Sequence, residues 1–435
     1  VTTTITEITA MEVLDSRGRP TVEATIGLSD GIRVSASVPS GASTGRHEAV
    51  ELRDGDRSRY GGLGVTRAVH NVEAVIAPAL IGKPPVQTEV DAALVALDGT
   101  QDKSGLGANA TLAVSLANAR AAAASDGLPL WHHLAGEREP LLPLPMINMI
   151  SGGLHAGGQI DFQDFLAVPI GARSYSEALE MCVAVYNGTA QALKAAGYTT
   201  LKADEGGFGP PVGSHREVLE LLQSGVRDAG LTPARDVVYA IDVAATHFFD
   251  PQAGVYRLAS EARDCDANEI ADLIDELASE YPIVSVEDGL AEDDWAGWVS
   301  LTDRQGKRMQ IVGDDLFTTN LDRLNRGYEM GAANAVLVKM NQIGTITETL
   351  AVVDRAHEIG YRTVISARSG ETEDPALADL AVAASGGQIK VGSVAQSERL
   401  AKYNRLLHIE RELGGSETAP FAGAGAVMSR AWTTR

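Results

Sequence analysis

Six stretches decide the fold: Val237-Val238-Tyr239-Ala240-Ile241-Asp242, Ile283-Val284-Ser285-Val286-Glu287, Gln310-Ile311-Val312-Gly313-Asp314, Ala335-Val336-Leu337-Val338-Lys339, Thr363-Val364-Ile365-Ser366 leading to Arg368, and Gln388-Ile389-Lys390. Each is a short apolar run of the kind a strand buried on both faces needs. Amphipathic helical segments lie among them at 269–281, 321–331, 345–361 and 374–385. That alternation predicts an α/β barrel or a doubly wound sheet. Every run also delivers an ionisable group where it ends. In a barrel of parallel strands those ends share one face, the face on which such barrels carry their active sites. Three carboxylates and three cations are therefore expected in one mouth.

Upstream the rhythm differs. Residues 1–60 read as short alternating strands with turn punctuation and 64–135 as helices rich in Ala and Leu, before Pro140, Pro143 and Pro145 break the pattern. We expect an α+β domain over residues 1–137 and a barrel domain over 138–435. With 435 residues, 44% of them hydrophobic, the chain has enough apolar material for both.

Charge and composition exclude several classes. Against 58 Asp+Glu stand 36 Lys+Arg, a net charge of −22 with no Lys/Arg run, so a nucleic-acid partner is not expected. Cys182 and Cys265 are the only cysteines and lack CxxC spacing, which argues against a disulfide framework or a thiolate metal site and makes the cytoplasm the expected compartment. The first strand-like stretch, Thr4 to Leu14, alternates in polarity, unlike a signal peptide. The Ala-rich stretch 108–125 contains Asn109, Asn118 and Arg120, so nothing reaches the ~20 apolar residues of a membrane span.

For any one residue, a charge at a strand end near solvent is the plainer reading. Six in succession argue for chemistry. Carboxylates buried together are unfavourable unless a cation neutralises them, and an all-oxygen set without Cys or paired His suits a hard ion, Mg²⁺, with Mn²⁺ as the other candidate. Beside Lys339, Arg368 and Lys390, such an ion suits a small substrate carrying carboxylate and phosphate groups. A lysine among cations and metal ions is disfavoured in its protonated form, which makes Lys339 a candidate base. Its task would be to remove a proton next to a carboxylate whose enolate the metal stabilises.

Further motifs carry a resemblance: Asp15-Ser-Arg-Gly-Arg-Pro-Thr-Val-Glu23, Ser40-Gly-Ala-Ser-Thr-Gly45, Asp204-Glu-Gly-Gly-Phe208, Val286-Glu-Asp288, Gly313-Asp-Asp-Leu316, Lys339-Met-Asn-Gln-Ile-Gly-Thr345 and Ser369-Gly-Glu-Thr-Glu-Asp374. Through them the chain resembles enolase along essentially its whole length. The resemblance implies a (β/α)8 barrel with an N-terminal α+β capping domain, two Mg²⁺ ions, and a homodimer or larger assembly of dimers with the Arg17 to Glu23 region near the contact. It implies Asp242, Glu287 and Asp314 as ligands of the first ion and Ser43 as a ligand of the second. By the same resemblance, Lys339 takes the C2 proton of 2-phosphoglycerate, Glu205 assists departure of the C3 hydroxyl and Asp164 is a helper carboxylate. Arg368 and Ser369 match phosphate contacts, Lys390 a carboxylate contact and His155 a loop residue that closes over the substrate, with Gln163 in the same pocket.

The chain also departs from the family pattern. Where enolases read Ser-His-Arg-Ser, this sequence has Ser366-Ala367-Arg368-Ser369, so a methyl group replaces an imidazole. Gln-Glu-Phe becomes Gln163-Asp164-Phe165, and Gly-Gly-Ser-His-Ala-Gly-Asn becomes Gly152-Gly153-Leu154-His155-Ala156-Gly157-Gly158. Thr-Gly-Ala-Pro becomes Val391-Gly392-Ser393-Val394, Arg-Ser-Glu-Arg becomes Gln396-Ser397-Glu398-Arg399, and Glu-Asp-Pro-Phe becomes Glu287-Asp288-Gly289-Leu290. These changes cluster where substrate should lie, and Ala367 makes room there for a larger group. The reading that follows is a divergent paralogue, similar to the carboxyphosphonoenolpyruvate synthases of phosphonate and phosphinate biosynthesis, taking a 2-phosphoglycerate or phosphoenolpyruvate skeleton with a phosphonoformate-like second acid. The alternatives are an ordinary glycolytic enolase and an enolase-fold scaffold with little catalysis.

Overall fold

A computed structural model of the chain describes residues 3–41 and 45–427. It opens on an antiparallel sheet of β1 (Ile5–Leu14), β2 (Pro20–Leu28) and β3 (Arg33–Ser37). The β1–β2 turn is built by Asp15, whose Oδ1 accepts from the backbone N–H groups of Arg17 and Arg19 at 2.8 and 2.9 Å. Residues 45–59, which the sequence pattern placed among strands, form turns and loop instead. Side chains take over their backbone bonding there: Asp54 accepts from the N–H groups of Thr66 and Arg67, and Asp56 from that of Ser58. The helix Ala108–Ser125 is buried along most of its length against the sheet, its alanines allowing close approach.

The second part is a closed barrel. Its strands are β4 (Leu144–Ser151), β5 (Asp164–Val168) and β6 (Val238–Asp242), then, after a small separate sheet of β7 (Phe249–Asp250), β8 (Val255–Leu258) and β9 (Arg263–Cys265), β10 (Ile283–Glu287), β11 (Gln310–Gly313), β12 (Ala335–Val338), β13 (Arg362–Ser366) and β14 (Gln388–Gly392). They close in the order β10-β11-β12-β13-β14-β4-β5-β6. All six expected runs are barrel strands, and the expected helices appear as Ala267–Glu280, Leu321–Met330, Ile346–Glu358 and Ala376–Ala383. The first of these starts on a capping box between Asp266 and Glu269.

One strand is reversed. β5 runs antiparallel to both β4 and β6, whereas the other neighbouring pairs are parallel. Its first residue therefore reaches the mouth that the other strands reach with their last: Asp164 pairs with Ser151 on one side and Asp242 on the other. Below the mouth the barrel is filled by Leu144, Met146, Leu166, Val168, Val238, Val312, Leu337 and Val364, so it holds a packed core and no channel.

The N-terminal part grips the barrel beside that mouth. Ser40 forms an antiparallel bridge with Gly370, Arg120 donates to Asp374 and to Ser35 O, and the Ser37 N–H donates to Asp374 at 3.0 Å. Cys182 and Cys265 are both free and buried. Among the described residues no helix is long and apolar enough to cross a membrane.

Gly370 is needed for the docking. A Cβ there would lie 2.3 Å from Asp15 Oδ2 and 2.7 Å from Ser40 O, both closer than atoms can pack. We predict that Gly370→Ala lowers unfolding free energy by about 1–3 kcal/mol, the usual range for overpacking, seen as a lower urea midpoint; an unchanged midpoint would show that this contact is plastic.

Candidate active site

The strand ends bring the expected residues together. Asp242 and Glu287 finish β6 and β10, Asp314 follows β11, Lys339 follows β12, Arg368 lies just past β13 and Lys390 sits in β14. His155 and Gln163 come from the β4–β5 connection, and Glu205 from the loop before the helix His215–Asp228. Together with Ala367, Ser366 and Ser369, the residues His155, Gln163, Glu205, Asp242, Lys339, Arg368 and Lys390 line one cavity of ≈ 20 Å³, about the space of a single water. Ser43 lies outside the described residues.

Ion pairs fill the floor. Lys390 Nζ is 2.8 Å from Asp242 Oδ2 and 2.8 and 2.7 Å from the two oxygens of Glu287. Lys339 Nζ meets Asp314 Oδ2. Burial alone would raise the pKa of Asp242, but Lys390 holds it low; Glu287, buried beside the Asp242 carboxylate, is pushed well above its ordinary value. One lysine is thus too little positive charge for two carboxylates. Burial is the largest influence on Lys339 and lowers its pKa, and Arg368 acts in the same direction, yet the carboxylates of Asp314, Glu287 and Glu48 together leave the pKa raised.

A second knot joins His155, Asp164 and Glu205. His155 Nδ1 is 3.0 Å from Asp164 Oδ2 and its Nε2 is 3.9 Å from Glu205 Oε1. Burial opposes protonation of the ring, but the two carboxylates prevail and raise its pKa to about 9. Asp164 is raised by burial despite His155, whereas Glu205, equally buried, is lowered by His155, Arg399 and Lys390.

Several contributors carry no signal in the sequence pattern. Asn148 and Ser151, both on β4, donate to Asp164 Oδ1 at 2.5 and 2.8 Å. The Arg368 guanidinium is gripped bidentately by Glu48, at 2.7 and 3.2 Å, and donates to Asn341 Oδ1 at 3.1 Å. Glu48 belongs to the N-terminal part, so the mouth is built by both halves of the chain. Arg399, fully buried, donates to the carbonyls of Arg368 and Ser369 and fixes that turn. Ser393 N–H holds the carbonyl of Glu205 at 2.8 Å, and Tyr186 OH holds that of Gly206 at 3.1 Å.

The donor chemistry fits a hard divalent cation: buried carboxylates at Asp242, Glu287 and Asp314, and no sulfur. Among the described residues, the trios whose ligand atoms lie within 4.8 Å of one another are His155, Asp164 and Glu205, and Asp288, Asp314 and Asp315. The expected trio is not as compact, since Lys390 stands between Asp242 and Glu287 while Lys339 engages Asp314. Asp288 shapes the Asp314 turn directly, accepting from the backbone N–H groups of Asp314 and Asp315 at 2.8 Å each.

Comparison with known families agrees with this architecture. The family model described as the N-terminal domain of enolase matches residues 5–134, and that described as the C-terminal TIM barrel domain of enolase matches residues 139–430. The chain belongs to the enolase family.

Proposed function

We propose that the protein is an enolate-forming carbon–oxygen lyase acting on a small phosphorylated carboxylic acid with the skeleton of 2-phosphoglycerate or phosphoenolpyruvate. The observation that carries this reading is the meeting of Lys339, Glu205, Asp242 and Arg368 around one small cavity, with Asp314 ion-paired to Lys339 beside it. Mg²⁺, or Mn²⁺, held by Asp242, Glu287 and Asp314 would supply Lewis-acid stabilisation of the charge developing on the substrate carboxylate. A second ion at Ser43 rests on the family resemblance alone.

The chain's own residues divide the remaining work. Lys339 Nζ takes the C2 proton, which requires the Asp314 charge to be committed elsewhere, as a ligand role would ensure. The C2–H pair becomes the C2=C3 bond while the C3–O bond breaks, and the departing oxygen takes its proton from the His155, Asp164 and Glu205 group. Arg368, with Ser369, orients the phosphate by charge-assisted hydrogen bonds. Lys390 holds the carboxylate once drawn from Asp242 and Glu287. A three-carbon acid needs more than ≈ 20 Å³, so binding has to part these internal ion pairs.

Ala367 gives the reading its finer form. It lines the cavity with a methyl group where the family pattern has a proton-handling ring. We take this as support for a divergent paralogue similar to carboxyphosphonoenolpyruvate synthase, with a phosphonoformate-like second acid and a place in phosphonate biosynthesis. The second reading, ordinary dehydration of 2-phosphoglycerate, is supported by Lys339 and Glu205 facing the same cavity. A small-molecule enzyme in the cytoplasm, working as a homodimer, completes the proposal.

Three outcomes follow. Purified protein with Mg²⁺ should exchange the C2 hydrogen of 2-phosphoglycerate with solvent deuterium, and Lys339→Ala should abolish exchange; no exchange in the parent protein would mean a scaffold. Phosphoenolpyruvate formation followed with and without phosphonoformate separates the two catalytic readings: fast dehydration indifferent to the added acid would exclude the paralogue, and Ala367→His should shift the balance toward dehydration. Finally, His155 is protonated below its pKa of about 9, raised from 6.5. Turnover should fall as pH rises through about 9, and this limb should vanish in His155→Gln. The stability gained from the His155–Asp164 pair follows the same sign, being full below pH 6.5 and lost through about 9.

A further inference from the structure

Gln342 does not line the cavity, yet three of its bonds converge on the site. Its Nε2 donates to Asp314 Oδ1 at 2.8 Å and to Glu48 Oε1 at 3.3 Å, and its Oε1 accepts from Thr319 Oγ at 2.7 Å. The side chain is 1% exposed, so no solvent competes for these bonds. Thr319 decides which end of the amide faces Asp314. Its hydroxyl oxygen accepts from the Lys339 N–H at 2.9 Å and its proton goes to the Gln342 carbonyl, while the NH₂ faces the two carboxylates, so donors and acceptors match at both ends of the amide.

The backbone is strained to achieve this. Thr318 and Thr319 have φ of 46° and 50°, in the left-handed region that β-branched residues avoid. Such conformations persist where the surroundings over-determine them, and here the hydroxyl of Thr319 joins the backbone of Lys339 to the amide of Gln342. The segment is tied from the other side as well, because the Ala49 N–H donates to Gln342 O at 2.8 Å.

A neutral donor on Asp314 has a specific merit. Lys339 on the other oxygen cancels negative charge, whereas the Gln342 amide fixes the carboxylate and leaves its charge for a cation. We infer that Gln342, oriented by Thr319, is a positioning residue that holds the Asp314 carboxylate for the divalent metal. The inference rests on the metal role given to Asp314 in the proposed function.

The test is direct Mg²⁺ binding by calorimetry on the full chain, with the Mn²⁺ electron-paramagnetic-resonance line shape as a second readout. Gln342→Leu keeps the bulk and loses the donor; its Kd for Mg²⁺ should rise on the order of tenfold to a hundredfold, the usual effect of removing a group that orients a ligand. The bound-Mn²⁺ spectrum should broaden, while thermal stability stays near that of the parent. Thr319→Val frees the amide to turn and should give a smaller rise in the same direction. Asp242→Ala is the control for the metal reading itself. If the parent binds no Mg²⁺, or Asp242→Ala binds as the parent does, the metal assignment fails. If Asp242→Ala loses binding while Gln342→Leu stays within about twofold of the parent, against the loss expected of an orienting group, Gln342 has no such role. Should Gln342→Leu fold poorly, Thr319→Val decides alone, and parent-like affinity overturns the inference.

Discussion

Negative charge packed under a lid of protein is the constraint on which this molecule turns. Asp164, Glu205, Asp242, Glu287 and Asp314 are all buried at one end of a barrel whose interior below them is apolar. Leaving water is expensive for each of them unless a cation or a set of donors takes its place. The fold answers with cations carried on neighbouring strand ends, Lys390 against two carboxylates and Lys339 against a third, and with His155 between the remaining pair. The answer is partial, as the raised pKa of Glu287 shows. That shortfall in positive charge is what the proposed divalent ion would make good.

Around this centre the protein uses two kinds of support. Charged partners neutralise; neutral partners orient. Asn148 and Ser151 aim Asp164, the backbone N–H groups of Asp314 and Asp315 dock on Asp288, and Gln163 donates to Asp242 at 3.1 Å. Arg399, out of contact with water, spends its donors on the carbonyls of the turn that carries Arg368 and Ser369. These groups keep side chains from collapsing onto the nearest opposite charge, which matters where so many charges lie within reach of one another.

The barrel was legible in the sequence wherever a strand is an uninterrupted apolar run ending in a charge. β6, β10, β11, β12 and β13 are of that kind, and with β14 they carry the residues named for metal and substrate. β4 and β5 hid for a physical reason: Pro145 and Asn148 interrupt the first, and the second meets the mouth at its start, so a rule that looks for charge at the end of an apolar run passes over Asp164. Asp164 was named through the family motif. Glu48 was missed because its importance comes from a contact across the 320 residues that separate it from Arg368; Asn148, Ser151 and Gln342 were missed because they are neutral donors, whose aim at Asp164 or Asp314 only the folded chain reveals. For Lys339 the nearby cations could be read from the strand pattern, but the carboxylate touching its ammonium group could not.

The embrace of Arg368 by Glu48 changes how ligand affinity should be understood. On the proposed reading, a phosphoryl group arriving there would not meet a bare guanidinium; it would trade places with a carboxylate supplied by the other half of the polypeptide. Association is then an exchange between competing anions, and its net strength is the difference of two similar attractions. Both partners of that pair are buried and so are little screened by dissolved salt, and the subsite should tolerate wide swings in ionic strength that would erode a simple surface ion pair.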